Sequence, residues 1–413
     1  MNNPSTPAKW NHPFAALKHP NFRLYWLGMC VSLVGTWMQN VAQPWLAYEL
    51  TKSPLLLSVV GALQFTPMLF LSLFAGVIID RFPKRTLLLI TQTSSLLITL
   101  ALAILVRSGH VRYWHILVSA GLMGLVNTLD MPARQSFVIE LAGREDLMNA
   151  IALNSSVFNI ARVVGPALAG LAMGSFGIAF CFFANSFSFA AVIMSLLFIH
   201  PAPGAPKSRM HGRVLDDIRD GLLYIRRNGN LLRTLLMLAV VATFGMNFNV
   251  LVPVFAKEVL HQKEIGFGLL MSFVGIGSFV GAMLIATRSK SGPQKRVLRV
   301  FPFLCAGFLA LVGFSGNYLL TGLFLAAAGF CFISFSSTAN SSLQLNTADE
   351  YRGRVMSVYA LVFGGSTPFG NLYSGFFSQH FGARAGFIAC GAIIVVLAGM
   401  LLMLLARKKR VSD

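Results

Sequence analysis

Apolar stretches of roughly twenty residues, the length a helix needs to cross the hydrocarbon core of a bilayer, recur along the whole chain. Twelve can be counted, over residues 22–48, 54–79, 86–107, 114–131, 152–174, 177–199, 232–256, 266–287, 298–316, 318–341, 355–378 and 385–406. The alternating polarity of a membrane barrel is absent, so an all-α bundle is the expected spanning solution. Gly and Pro inside the stretches are tolerated by bilayer helices. Polar segments bound and divide the spans: an N-terminal segment over 1–21, a linker over 200–231 and a tail over 407–413. The linker separates two sets of six spans, 22–199 and 232–406. Its second part, VLDDIRDGLLYIRR, has helical periodicity with one charged face, as a surface helix or a plain spacer would.

Composition agrees with the pattern. Of 413 residues, 55% are hydrophobic and 11% charged, and the mean hydropathy is +0.69, too apolar for a soluble chain to cover with polar surface. The opening, MNNPSTPAKWNHPFAALKHPNF, is polar and unlike a cleavable signal, so the first span is expected to stay attached. Cys30, Cys181, Cys305, Cys331 and Cys390 all fall in expected spans without paired spacing, as packing residues do. The eight histidines lie in loops or at span ends, so no haem, metal or other cofactor is expected.

A net charge of +19 would suit nucleic acid, but its placement argues for topology instead. With the N-terminus inside, most of the 33 Lys and Arg fall in inner segments. The outer side receives Lys52, Arg107, Arg112, Lys257, Lys263 and Arg384, and Arg162 alone is placed within a span. Both termini are therefore expected in the cytoplasm, with anionic lipid as a secondary partner and no nucleic acid.

A shift of 205 residues aligns much of the two halves, as in transporters built from repeated helix sets. Gly61 meets Gly266, Gly76 meets Gly281, Glu145 meets Glu350, Gly165 meets Gly370 and Gly170 meets Gly375. In the first span of each half the shift becomes 209, pairing Asn40 with Asn249, Pro44 with Pro253 and Glu49 with Glu258. The expected architecture is twelve transmembrane helices in two pseudo-symmetric six-helix bundles.

Two short segments carry specific chemistry. In GVIIDRFPKR, Gly76 and Asp80 share a helix face, and Asp80 sits at a helix C-terminus, where the dipole disfavours an anion. Lys84 and Arg85 can supply a countercharge; a solvated turn with inside-positive residues is the simpler alternative. In ARVVGPALAG, Pro166 removes a backbone donor while Gly165 and Gly170 leave a smooth surface for a neighbouring helix, or merely permit a kink.

GVIIDRFPKR, through Gly76, Asp80, Arg81, Lys84 and Arg85, resembles the signature between helices 2 and 3 of the major facilitator superfamily, with Pro83 in place of the usual glycine. ARVVGPALAG, through Arg162, Gly165, Pro166 and Gly170, resembles the glycine-proline motif of its exporters, with Ala161 and Ala169 replacing two glycines. The stretch from Asp130 to Gly170 is similar to the bacterial branch that holds enterobactin and macrolide exporters. The resemblance implies the major facilitator fold, the bacterial inner membrane and proton-driven efflux. It also implies a conformational latch in which Asp80 and Lys84 join an acid at the inner end of helix 4, where Asp130 stands, with the helix 11 start near Arg354 against Asp80. In the second half Ile285 occupies the position of Asp80, so the latch is one-sided.

Arg162 is a functional candidate by its depth. Pairing with Asp130 and snorkelling to the inner surface are both open. Asp130, Glu49 and Glu258 are the candidates for proton coupling, although the two glutamates read first as ordinary interfacial acids. Polar residues expected at mid-depth, and so along a substrate path, are Thr36, Gln39, Asn40, Gln43, Asn247, Asn249, Asn340, Thr367 and Asn371, each of which could instead join neighbouring helices. With 35 Phe and 17 Met available for the walls, an amphipathic small molecule is favoured over a sugar. A monomeric secondary transporter is expected, first an exporter of a drug-like compound or siderophore, with an importer or facilitator of the same fold as the alternative and a membrane sensor disfavoured by the lack of a long loop. An enzyme would need a convergent set of catalytic groups, which the sequence lacks.

Overall fold

The computed structural model describes residues 14–143, 145–199, 214–288 and 292–412; the side chains of residues 73, 74, 77, 80, 214–218 and 405–412 lie outside that description. After a short 3₁₀ turn at Ala15–Lys18 come α1 (Pro20–Thr51), α2 (Pro54–Arg81), α3 (Lys84–Arg107), α4 (Tyr113–Ala142), α5 (Leu147–Phe176) and α6 (Ile178–Phe198). A linker helix, α7 (Val214–Arg227), leads to α8 (Gly229–Gly245), α9 (Phe248–Glu258), α10 (Glu264–Thr287), α11 (Lys295–Phe314), α12 (Tyr318–Leu345), α13 (Asp349–Gly365), α14 (Thr367–Phe381) and α15 (Ala383–Ser412). The end of the bundle at the α2–α3 turn gathers most of the Lys and Arg and is called the basic end here. The end at the α1–α2 turn is the sparse end.

Local chemistry sets many of these boundaries. Pro20 and Pro54 stand in the first turn of α1 and α2, where the missing N–H is no loss, and Ser53 caps α2 by accepting from the Leu56 N–H at 3.2 Å. Gly177 and Gly382, 205 residues apart, end α5 and α14 with φ of +82° and +89°, a conformation that favours glycine.

The duplication visible in sequence is repeated in the packing. A Cβ at Gly165 would fall 2.4 Å from the Trp37 Cβ on α1, and one at its counterpart Gly370 would fall 1.7 Å from the Thr243 carbonyl on α8. A Cβ at Gly170 would lie 2.9 Å from the Glu264 carbonyl on α10, and one at its counterpart Gly375 would lie 2.2 Å from the Ser58 hydroxyl on α2. Glycines matched by the 205-residue shift therefore hold equivalent helices at backbone distance. The α5–α10 and α14–α2 contacts also join one six-helix half to the other.

Ten spans are long and apolar enough to cross a membrane among the described residues, one of them running over α8 and α9 together. With α1 and the α13–α14 pair they make twelve crossings of an all-α membrane protein. Two expected spans are broken. The seventh parts at Met246 and Asn247, and the eleventh parts at Ser366, where Pro368 in the first turn of α14 disfavours helical geometry just before it. Two others run past their apolar stretches. α4 continues to Ala142 rather than ending near 131, and α5 begins at Leu147 rather than 152. Several polar residues there have partners on other elements, Arg134 at Met29 of α1, Glu140 at Lys84 of α3 and Asn149 at Ala16, so hydropathy alone ended α4 too early and began α5 too late.

The linker helix is docked on the second half. The Tyr224 and Tyr351 rings stack at 4.3 Å between centroids, the Ala348 N–H donates to the Tyr224 hydroxyl at 3.2 Å, and Arg354 donates to Asp220 at 3.3 Å. Arg354 thus faces α7 through one of its contacts; its expected approach to Asp80 concerns a side chain outside the described residues.

Candidate functional site

At the sparse end the two halves are joined by a reciprocal pair. Lys257 of α9 forms an ion pair with Glu49 of α1, and the Tyr48 hydroxyl donates to Glu258. The 209-residue shift carries Tyr48 to Lys257 and Glu49 to Glu258, so each contact is the image of the other. Lys52 adds a second cation on Glu49 at 2.6 Å. The Lys257 ammonium also lies 5.5 Å above the Trp45 ring, and Trp45 stacks on Phe267 of α10 at 5.0 Å. Ser53 donates to Gln379 at 2.6 Å, tying α2 to α14. Sequence placed Glu49 and Glu258 here as single acids. It did not single out Tyr48, Lys257, Trp45, Phe267 or Gln379, though the register of the duplication points to the first two.

Of the basic-end signature, the Lys84 and Arg85 side chains are described and the central Asp80 side chain is not. Lys84 lies 3.6 Å from Glu140 on α4, not against Asp130. Arg85 donates to the Leu196 and Leu197 carbonyls at 2.7 and 3.0 Å, closing the C-terminus of α6 where its dipole favours a cation. Arg81 is exposed, and a Cβ at Gly76 would meet nothing within 4 Å, so no described helix approaches it closely. The Asp80 side chain lies outside the described residues. Nearby, Asp146 before α5 accepts from Lys18 at 2.7 Å and His19 at 2.8 Å, and those two bonds hold its carboxyl below the ordinary Asp value.

Because α4 extends to Ala142, Asp130 is about three turns inside the helix, not at its end. Arg134 shares that depth, so Arg162 is not the only basic residue within a span. Asp130 is buried and pairs with Arg134 one turn on, while Thr91 and Gln92 of α3 donate to its other oxygen at 2.6 and 2.7 Å. Its charge and lone pairs are thus matched inside the first half, and the pairing with Arg162 considered above is not formed. The i, i+4 spacing of Asp130 and Arg134 was legible but was obscured by the early end given to the span.

The expected path residues divide. Gln39 accepts from Asn185 at 2.6 Å and from Thr99 at 3.2 Å and donates to Gln43 at 3.4 Å, while Thr36 donates to Asn185 at 3.5 Å. These form a buried network between α1, α3 and α6. Asn247 is buried and donates to the Thr243 carbonyl at 2.9 Å, bridging the break between α8 and α9. Thr367 and Asn371 are buried, Asn371 over Gly61 of α2. Asn40 and Asn340 are half-buried and Asn249 is exposed.

The faces of α5 separate lipid from interior. Ile160, Val164, Leu168 and Leu171 form one exposed apolar stripe. Arg162 lies two residues from Ile160 and from Val164, about 200° around the helix, and so faces away from that stripe. It sits between Pro166 and Gly170, which meet α10, and Phe158 and Gly165, which meet Trp37 of α1. The α5–α10 contacts run from Gly170 on Gly268, through the Pro166 carbonyl on Gly268, to the Arg162 carbonyl on Gly275. One turn and two turns toward the basic end, Phe158 and Ser155 are exposed on the interior side. Arg162 therefore stands at the basic-end limit of these α5–α10 contacts, with exposed Phe158 and Ser155 beyond it on the same face, about four turns into α5.

A sequence profile described as "Transmembrane secretion effector" matches residues 11–412. The chain is 26% identical over 383 residues to the staphyloferrin A transporter of Staphylococcus aureus, across 92% of this chain and 94% of that one. It is 26% identical over 388 residues to the multidrug efflux pump Tap of Mycolicibacterium fortuitum, with coverage of 92% and 94%, and 21% identical over 397 residues to macrolide efflux protein A of Streptococcus pyogenes, with coverage of 92% and 96%. Among solved structures, a bacterial homologue of the human lysosomal transporter Spinster, inward-facing and unoccupied, matches with a TM-score of 0.76 at 10% identity over 94% of this chain and 96% of that chain. A D-xylose-proton symporter matches at 0.72 and 13% identity over 93% and 97%. At such identities the structures establish the shared fold. The profile spans nearly the whole chain, and the protein belongs to the transmembrane secretion effector family of major facilitator superfamily transporters, multi-pass membrane proteins that move small molecules and are not enzymes.

Proposed function

We propose that this protein exports small amphipathic molecules from the cytoplasm by alternating access, with proton entry as the driving force. The observation that carries the reading is the pairing of a sparse end sealed by Tyr48, Glu49, Lys257 and Glu258 with an interior face of α5 left accessible toward the basic end. With the basic end and both termini in the cytoplasm, this is the state that loads a cytoplasmic substrate. The glycine-proline motif supports export, since Gly170 and Pro166 form the interface that must slide or part when the sparse end opens. The names of the efflux relatives point the same way. The protein is read as a monomer of the bacterial inner membrane, partnered by lipid and protons.

A second reading, a facilitator or importer of the same fold, is favoured by one observation. Asp130 is the acid held deep in the first half, and it is already matched by Arg134 and two further donors. Everted vesicles decide between the readings. The exporter accumulates an amphipathic dye when a proton gradient is imposed and stops when the gradient is collapsed. Flux that follows the dye gradient alone, in either direction, establishes the facilitator.

A further inference from the structure

Resting on the export reading, we infer that Arg162 is the substrate-recognition residue of this transporter and that its substrates carry a carboxylate or an equivalent anionic group. The cation is on the interior face of α5, opposite the lipid-facing stripe of Ile160 and Val164. Its Nη2 donates to Asn159 at a long 3.4 Å, and its buried Nε has no hydrogen-bond partner among the described residues. Among the described residues no carboxylate forms an ion pair with it. Asp130, the acid at comparable depth in the first half, is taken by Arg134.

An unmatched guanidinium in the middle of a 30-residue span is unfavourable to hold. Its distance from either end of α5, about 20 Å, exceeds the reach of an arginine side chain, which removes snorkelling as the explanation. The fork geometry of the group suits a carboxylate, which would supply both the missing acceptor and the missing charge. The apolar part of the ligand has a place beside it. Phe158, one turn toward the basic end, meets Trp37 edge to face at 5.6 Å, and Asn40 lies on the side of α1 opposite lipid-exposed Val31. A cation with an aromatic pair one turn along the same helix recognises an amphipathic acid, and it repels the lipophilic cations that an acidic cavity would accept.

N-dansyl-glutamate and its dimethyl ester test this, because they share a fluorescent apolar body and differ in their carboxylates. Titrated into the full chain in nanodiscs, the acid is expected to bind the wild type about tenfold more tightly than the diester, as a charge-assisted pair in a desolvated site allows. Arg162→Gln is expected to abolish the preference while leaving diester affinity within twofold, and Arg162→Lys to retain part of it. Equal affinities in the wild type, no binding of the acid, or a preference that survives in Arg162→Gln overturns the assignment; the first two outcomes need no variant to fold. The same probes in everted vesicles separate this inference from the export reading. Uptake of the diester without preference for the acid removes the role of Arg162 and leaves export standing. Selective binding of the acid with flux only in the opposite direction removes export and leaves Arg162 in place.

Discussion

Lys257 and Glu49 form an ion pair between the two halves of the transporter, and the internal duplication makes that pair the counterpart of the bond from Tyr48 to Glu258. Two images of one contact thus close the sparse end, each contributed by the equivalent turn of α1 and α9.

Removing one member of this seal should shift the conformational balance without unfolding the protein. Glu49 and Lys257 are 30% and 31% exposed, so the pair is worth about 0.5–1 kcal/mol and its loss changes a two-state population about two- to fivefold. In Glu49→Gln, spin labels at Leu50 and Leu319, exposed on opposite halves, should report a larger fraction of long distances at the sparse end. The charge-reversed double variant Glu49→Lys with Lys257→Glu should recover part of the closed population. An unchanged distance distribution in Glu49→Gln would remove the seal from the mechanism.

Glycine substitutions should separate the interface between halves from the basic-end signature. A Cβ at Gly268 would fall 2.5 Å from the Pro166 carbonyl and 2.7 Å from the Gly170 Cα, where only backbone could give way. Gly268→Ala is therefore expected to disfavour the closed α5–α10 contact by about 1–3 kcal/mol and to reduce transport roughly tenfold or more. Gly76→Ala meets nothing within 4 Å and should change stability by less than about 0.5 kcal/mol. Flux per folded transporter, normalised by size-exclusion recovery, makes the comparison; equal activity of the two variants counts against a tight α5–α10 contact.

Hydropathy and the two-part repeat were enough to read the helix bundle, because a bilayer leaves the backbone few other solutions. What they could not supply was the end of a helix whose last turns are polar yet packed. Ending the fourth span at 131 put Asp130 at a surface and hid Arg134 as its partner. Starting the fifth at 152 left out the first five residues of α5, among them Asn149, which accepts from the Ala16 N–H. Polarity also says nothing of direction around a helix. Gln39 and Gln43 belong to a network inside their own half, whereas Asn40, one residue from Gln39, lies about 100° away and stays half-buried. The gate partners Tyr48 and Lys257 were present in the repeat but unlike in chemistry, so a search for identical residues passed over them.

Asp130 separates a structural from a proton-carrying role. Asp130→Asn leaves Arg134 buried beside an amide, which should cost about 3–5 kcal/mol and appear as a lower midpoint of thermal unfolding in detergent. Adding Arg134→Gln removes the stranded charge and should recover much of that loss. If the double variant also regains gradient-driven transport, Asp130 holds α4 against α3 and carries no proton. If it folds well and transports only down the substrate gradient, Asp130 is the coupling acid.

Asp146 should give the N-terminal docking a defined acid limit. Lys18 and His19 bond to its carboxylate and hold its value below that of an unfolded Asp, near 3.9. A carboxyl whose folded value is depressed contributes stability that is complete above the unfolded value and fades as pH falls through the folded one. The turn at Ala15–Lys18, whose Ala16 N–H donates to Asn149 at 2.9 Å, is fastened to α5 by the same cluster. Asp146→Asn is therefore expected to raise hydrogen exchange at Ala16 and the first turn of α1 at pH 7. The wild type and the variant should converge as pH is lowered from about 4 downward, since protonation removes from the wild type what the substitution removed from the variant. A difference that persists unchanged through that window would mean that side-chain shape, and not the carboxylate charge, fastens the segment.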